Sequence, residues 1–118
     1  MPDLAPVAKL VFVGAFSERE AVEAQDRGYL SHVLAEIDGV RLYPVVFYDP
    51  VRLQQDLEES ARHGRAFVAD PGLIVLPDIT LEAMRAAVQR LAQEGFFERL
   101  VPVSRERLRE ANGYRWPP

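Results

Sequence analysis

Asp38-Gly39 lies between two apolar runs, Tyr29–Ile37 and Arg41–Tyr48, and no other dipeptide constrains this chain as much. A two-residue turn that follows the right-handed twist of its strands needs positive φ at both central residues. Asp-Gly meets that need at little steric cost, so the pair predicts a β-hairpin. Tyr29–Ile37 alone fits two templates. Leu30, Val33, Leu34 and Ile37 fall at helical spacing, whereas Val33, Ala35 and Ile37 alternate as in a strand. The turn that follows favours the strand.

The return strand Arg41–Tyr48 contains Val45-Val46-Phe47, a continuous apolar run of the kind covered on both faces. Pro44 interrupts it by removing one backbone donor. That residue belongs at an edge, a bulge or a non-bonded position. Asp49 then caps a helix with Pro50 at its first position, and Gly64 ends it.

The same reasoning orders the rest of the chain. Val7–Val13 is a short apolar run, broken only by Lys9, and reads as a buried strand. Ser17-Glu18-Arg19-Glu20 is a capping box that starts a helix to about Arg27, stopped at Gly28. Ala66–Ala69 and Leu73–Leu76 are apolar pieces joined by Asp70-Pro71-Gly72, which suits a type II turn. Either the two pieces form a hairpin or one strand carries a kink. Thr80 or Asp78 caps a third helix with Leu81, Met84, Val88 and Leu91 on one stripe, ended by Gly95. Leu100–Val103 reads as a last strand, and Ser104 opens a short helix to about Ala111. The expected order is β-α-β-β-α-β-(β)-α-β-α. It implies an α+β fold with a mixed sheet and helices packed mainly on one face.

The 118 residues fit one domain, with a loose start at residues 1–6 and a tail at 113–118. A 48% hydrophobic and 27% charged composition supplies an ordinary core. There is no cysteine, which excludes disulfides, thiolate catalysis and cysteine-ligated metals. The net charge of −4 argues against a nucleic-acid face, despite Arg105, Arg107, Arg109 and Arg115 near the C-terminus. No apolar run approaches the roughly 20 residues of a membrane helix. No basic segment and apolar core open the chain, so a cytoplasmic protein is expected. Arginine is used almost to the exclusion of lysine, which suits a GC-rich, bacterial genome.

Candidate chemistry is sparse. Asp38, Asp49, Asp70 and Asp78 end strands or fill turns. A right-handed crossover after Tyr48 would bring Asp49 and Asp70 to one sheet edge. Each aspartate also has a local task in a turn or a cap, and no metal-loop spacing accompanies them, so neither a metal nor another cofactor is expected. His32 and His63 are the only imidazoles. Ser31 and His32 are neighbours on a strand and point to opposite faces, which makes a poor nucleophile–base couple. Phe97, Tyr114 and Trp116 are the aromatic anchors available to a partner.

The reading that follows is a small non-catalytic binding or regulatory protein acting through protein–protein contact, as a homodimer or with another chain. The competing reading is a small-molecule binder or enzyme with an acidic pocket at one sheet edge, built from Asp49, Asp70 and His32.

Overall fold

A computed structural model describes residues 6–14, 16–104 and 106. The hairpin forms where the Asp-Gly signal puts it. Strand β2 (Tyr29–Ile37) turns at Asp38 and Gly39 into β3 (Arg41–Tyr48). Both turn residues have positive φ, 55° and 71°, and Val40 N–H closes the turn onto the Ile37 carbonyl. This is the mirror-image turn that strand twist demands. Asp38 also accepts from Val7 N–H through its carboxylate, and its own N–H donates to the Val7 carbonyl. The turn thereby holds the strand before it, β1 (Ala8–Phe12), which pairs antiparallel with β2.

Helix α1 (Glu18–Arg27) begins at the expected capping box, with the Ser17 hydroxyl accepting from Glu20 N–H. Helix α2 (Pro50–Arg62) begins at Asp49, whose carboxylate accepts from Arg52 N–H at 2.7 Å. It leads to β4 (Leu73–Val75), which runs parallel to β3. Helix α3 (Leu81–Gln93) is capped by Thr80 and followed by a 3₁₀ turn, Phe96–Arg99. The sheet order is β1-β2-β3-β4, with the last pair parallel and the others antiparallel. The fold is therefore α+β with a four-stranded mixed sheet. Among the described residues no helix is long and apolar enough to cross a membrane.

The main core lies on one face of this sheet. Val33, Ala35, Ile37, Val45, Phe47 and Ile74 meet Ala24 of α1 and Met84, Val88 and Ala92 of α3. Side chains alternate along a strand, so Tyr48, next to buried Phe47, points the other way, as does its strand partner Tyr29. The Tyr48 hydroxyl donates to Asp56 Oδ2 of α2 at 2.8 Å, and the Arg52 guanidinium lies over the Tyr29 ring. Helix α2 therefore occupies the opposite face from α1 and α3. That face also carries a smaller apolar cluster of Leu34 and Leu42 against Val11, Val13 and Val103.

Four expectations change. Ala66–Ala69 forms no strand and runs as an irregular connection from α2. Leu100–Val103 contributes only one antiparallel bridge, Val103 to Leu42, because β4 takes Val46–Tyr48 on the β3 edge and Pro44 between them offers no N–H. The turn Asp70–Leu73 closes through Leu73 N–H to the Asp70 carbonyl, but Gly72 keeps φ outside the left-handed region, so it is not type II. Glycine is required there for another reason: a Cβ would strike the Pro44 carbonyl oxygen. Finally, β2 is not regular. It bulges between Leu30 and Val33, with His32 at φ 59°. The helix expected from Ser104 to Ala111 falls outside the described residues, apart from Ser104 and Glu106.

Candidate functional site

Pro44 is the residue from which the site is built. Backbone groups of β3 alternate between the β2 side and the outer side. Val46 N–H donates outward to the Gly72 carbonyl, and the Leu42 carbonyl accepts from Val103 N–H on the same side. Position 44 shares that outward direction, and proline has no N–H to offer there. The missing donor falls in the gap between the Val103 bridge and the start of β4. Proline is thus tolerated inside a central strand, at a non-bonded position facing the break.

That gap is a cavity of about 430 Å³. Its floor is Tyr43 and Pro44, one wall is the turn Asp70-Pro71-Gly72, and the other is Arg99–Val101 with Val103. Tyr43 is held from behind by Phe97, with ring centroids 5.3 Å apart. Phe97 in turn meets Phe96 edge-on. The lining is mostly apolar, and its size falls within the range of small-ligand pockets, about 300–1,000 Å³. Val101, on the rim, is 83% exposed.

The cavity combines this mostly apolar lining with two charged residues. Asp70 and Arg99 both line it and are exposed. Among the described residues neither side chain makes an ion pair or a hydrogen bond. Elsewhere the polar lining is committed in part, with Arg27 and Glu98 outside any ion pair among the described residues. A 260 Å³ cavity between α1 and the β1–β2 end holds Glu20, Glu23, Arg27, Ser31 and His32. There Glu20 completes the capping box and Glu23 binds Arg19. A 280 Å³ groove along α2 holds Tyr48, Asp56, Glu59 and Arg65, and shares Asp70 with the cavity beside Pro44. There Asp56 is taken by Tyr48 and Arg52, Glu59 by Arg62 and His63, and Arg65 lies over Phe67. A wider 510 Å³ depression around the 3₁₀ turn is lined by Glu94, Glu98 and Arg99 beside Leu91, Phe96 and Leu100; its Glu94 pairs with Arg90, and Arg99 is shared with the cavity beside Pro44.

Tyr48 is the one described group whose proton affinity departs clearly from the ordinary. Burial first, then the hydrogen bond to Asp56 and that carboxylate's charge, hold the phenol well above the usual tyrosine range. Arg52 opposes the shift. The hydroxyl is a strut between β3 and α2 rather than a proton donor for chemistry.

His32, Asp49 and Asp70 do not form one pocket. His32 belongs to the α1 cavity. Asp49 caps α2, and its N–H donates to the Gly28 carbonyl. Asp70 lies in the turn before β4, whereas Asp49 follows β3. In a parallel pair those are opposite ends of the strands, so the crossover separates the two carboxylates. The expectation failed because it took Ala66–Ala69 as the parallel strand and put Asp70 at its end. Among the described residues no group of three His, Asp or Glu side chains could hold a metal ion. Phe97 is 2% exposed and reaches the cavity only through Tyr43. Tyr114 and Trp116 lie outside the described residues.

Tyr43 and Arg99 were not singled out from the sequence. The only sequence signal near them was Pro44, a proline inside an otherwise strand-like run. No protein-family model matches this chain, and the searches of curated proteins and of solved structures gave no match.

Proposed function

We propose that this chain is a binding protein that makes and breaks no covalent bonds, and that its ligand enters the cavity beside Pro44. One observation carries the reading: an apolar recess in the sheet edge whose two rim charges are committed to nothing else among the described residues. Concave apolar lining with a few polar groups at the mouth is the usual form of a ligand site. The test uses isobutanol as an apolar probe and follows backbone amide shifts by NMR. Shifts concentrated on Tyr43, Gly72 and Leu100–Val103 support the reading. Shifts concentrated on the α1 cavity or the α2 groove refute it.

A second reading, contact with another protein or a second copy, is favoured by a different observation. Helix α2 buries no side chain, and Phe67 and Val75 nearby are about half exposed. Sedimentation of the full chain and of a chain ending at Asn112 tests the self-associating form and the part played in it by Tyr114 and Trp116. If both chains sediment as monomers at high concentration, the homodimer is excluded.

A further inference from the structure

We infer that the cavity beside Pro44 takes a free apolar α-amino acid in its zwitterionic form, an inference that rests on the cavity being the binding site. The walls set the first requirement. Pro44, Pro71, Leu100, Val101 and Val103 offer aliphatic surface, and Tyr43 completes the lining beside Pro44. An uncharged hydrocarbon side chain of leucine or phenylalanine size is the group such a recess accepts, since apolar contact is favourable and a buried unpaired polar group is costly.

The rim sets the second requirement. Asp70, in the turn before β4, and Arg99, at the end of the 3₁₀ turn, bring opposite charges to one lining and form no ion pair with each other. An amine alone would leave Arg99 unanswered, and a carboxylate alone would leave Asp70 unanswered. An α-amino acid carries both groups on one carbon, next to the side chain that fills the recess. Arg99 matches its carboxylate with two parallel N–H donors, and Asp70 accepts from its ammonium. Arg99 also borders the depression around the 3₁₀ turn, where Glu98 is an unpaired carboxylate among the described residues, and Asp70 also borders the α2 groove; the cavity beside Pro44 is the mostly apolar recess that both charges share.

A polypeptide end shares half of this chemistry: a C-terminal residue brings a carboxylate without the ammonium. The experiment therefore compares L-leucine with N-acetyl-L-leucine, which lacks the ammonium, and L-leucinamide, which lacks the carboxylate, by NMR titration of the full chain. The expected result is that L-leucine binds at least about fivefold more tightly than either derivative, a ratio of the size that one charge-assisted hydrogen bond supplies. Arg99→Gln should bring L-leucine down to the affinity of the amide, and Asp70→Asn down to that of the acetylated form. Both residues are exposed, so both variants should keep the wild-type amide spectrum away from the cavity. Equal affinity for L-leucine and N-acetyl-L-leucine overturns the inference in favour of a chain terminus. Binding of L-leucine no tighter than isobutanol overturns it while leaving the cavity reading intact. Isobutanol shifts outside the cavity remove both.

Discussion

The two sides of β3 solve the same problem differently. On the β2 side the ladder runs through most of the strand, and the core-facing side chains Val45 and Phe47 are covered by the layer that α1 and α3 form. On the outer side pairing is split: one bridge at Leu42, a three-residue parallel strand at Val46–Tyr48, and Pro44 between them. A closed ladder with a filled core is a stability device. A broken ladder leaves room, and Asp70 and Arg99 border the room beside Pro44 without a partner among the described residues. The difference separates residues that hold the fold from residues free to recognise something.

Removing a side chain from each side gives the largest contrast. Phe47 is 0% exposed at the centre of the main cluster. Phe47→Ala should cost about 3–5 kcal/mol, the lost transfer energy plus the cavity left behind. Leu57 on α2 is only partly buried, and α2 buries no residue. Leu57→Ala should cost about 1 kcal/mol, because little apolar surface leaves the solvent there on folding. Urea unfolding of both variants measures the gap. Equal losses would mean that α2 belongs to the core after all.

A smaller effect should come from filling the break. In Gly72→Ala the new Cβ meets the Pro44 carbonyl oxygen, which is main chain and cannot swing away as a side chain would. The turn must shift, at a cost of about 1–3 kcal/mol. The same shift moves one wall of the cavity, so amide shifts should change at Tyr43 and Val101 as well as at Gly72. Stability equal to wild type would show that the β3–β4 junction gives way more easily than its geometry implies.

The local parts of this architecture were legible because each is fixed by neighbours in sequence. Asp38-Gly39 specifies its turn, Ser17 with Glu20 specifies a helix start, and Asp49-Pro50 another. The α3 stripe was legible for the same reason, and its Met84 and Val88 are buried as their spacing requires. The failures all depend on which chain segment reaches the β3 edge. Ala66–Ala69 and Leu73–Leu76 are both short and apolar, and only the register with Val46–Tyr48 selects the second. Gly72 looked like a type II turn glycine, but its cause is a close approach to Pro44, 28 positions away in the chain. Arg99 and Asp70 come to line one cavity through that same packing, which no local pattern encodes. Pro44 was the exception: its misfit inside a strand was visible, and it marks the break.

The smallest expected effect concerns the strut that ties α2 to the sheet. The Tyr48 hydroxyl donates to Asp56 at 2.8 Å, and Asp56 keeps Arg52 at 3.0 Å when the hydroxyl is removed. Tyr48→Phe should therefore cost about 1 kcal/mol near pH 7, the net worth of one hydrogen bond. Its pH dependence is more diagnostic. An unfolded tyrosine titrates near about pH 10, and in the folded chain burial and Asp56 raise the value above that. Below the unfolded value both states hold the proton, so the contribution is fully present and does not change with pH. As pH rises past it, the unfolded chain releases the proton while the folded chain keeps it, and stability falls. The difference between wild type and Tyr48→Phe should thus be flat up to about pH 10 and shrink above it. Urea midpoints from pH 7 to 11 measure this directly. A difference that stays constant across that range would mean that the hydroxyl is exchanged with solvent in the folded protein, and that α2 is held to the sheet by Arg52 over Tyr29 and its own packing instead.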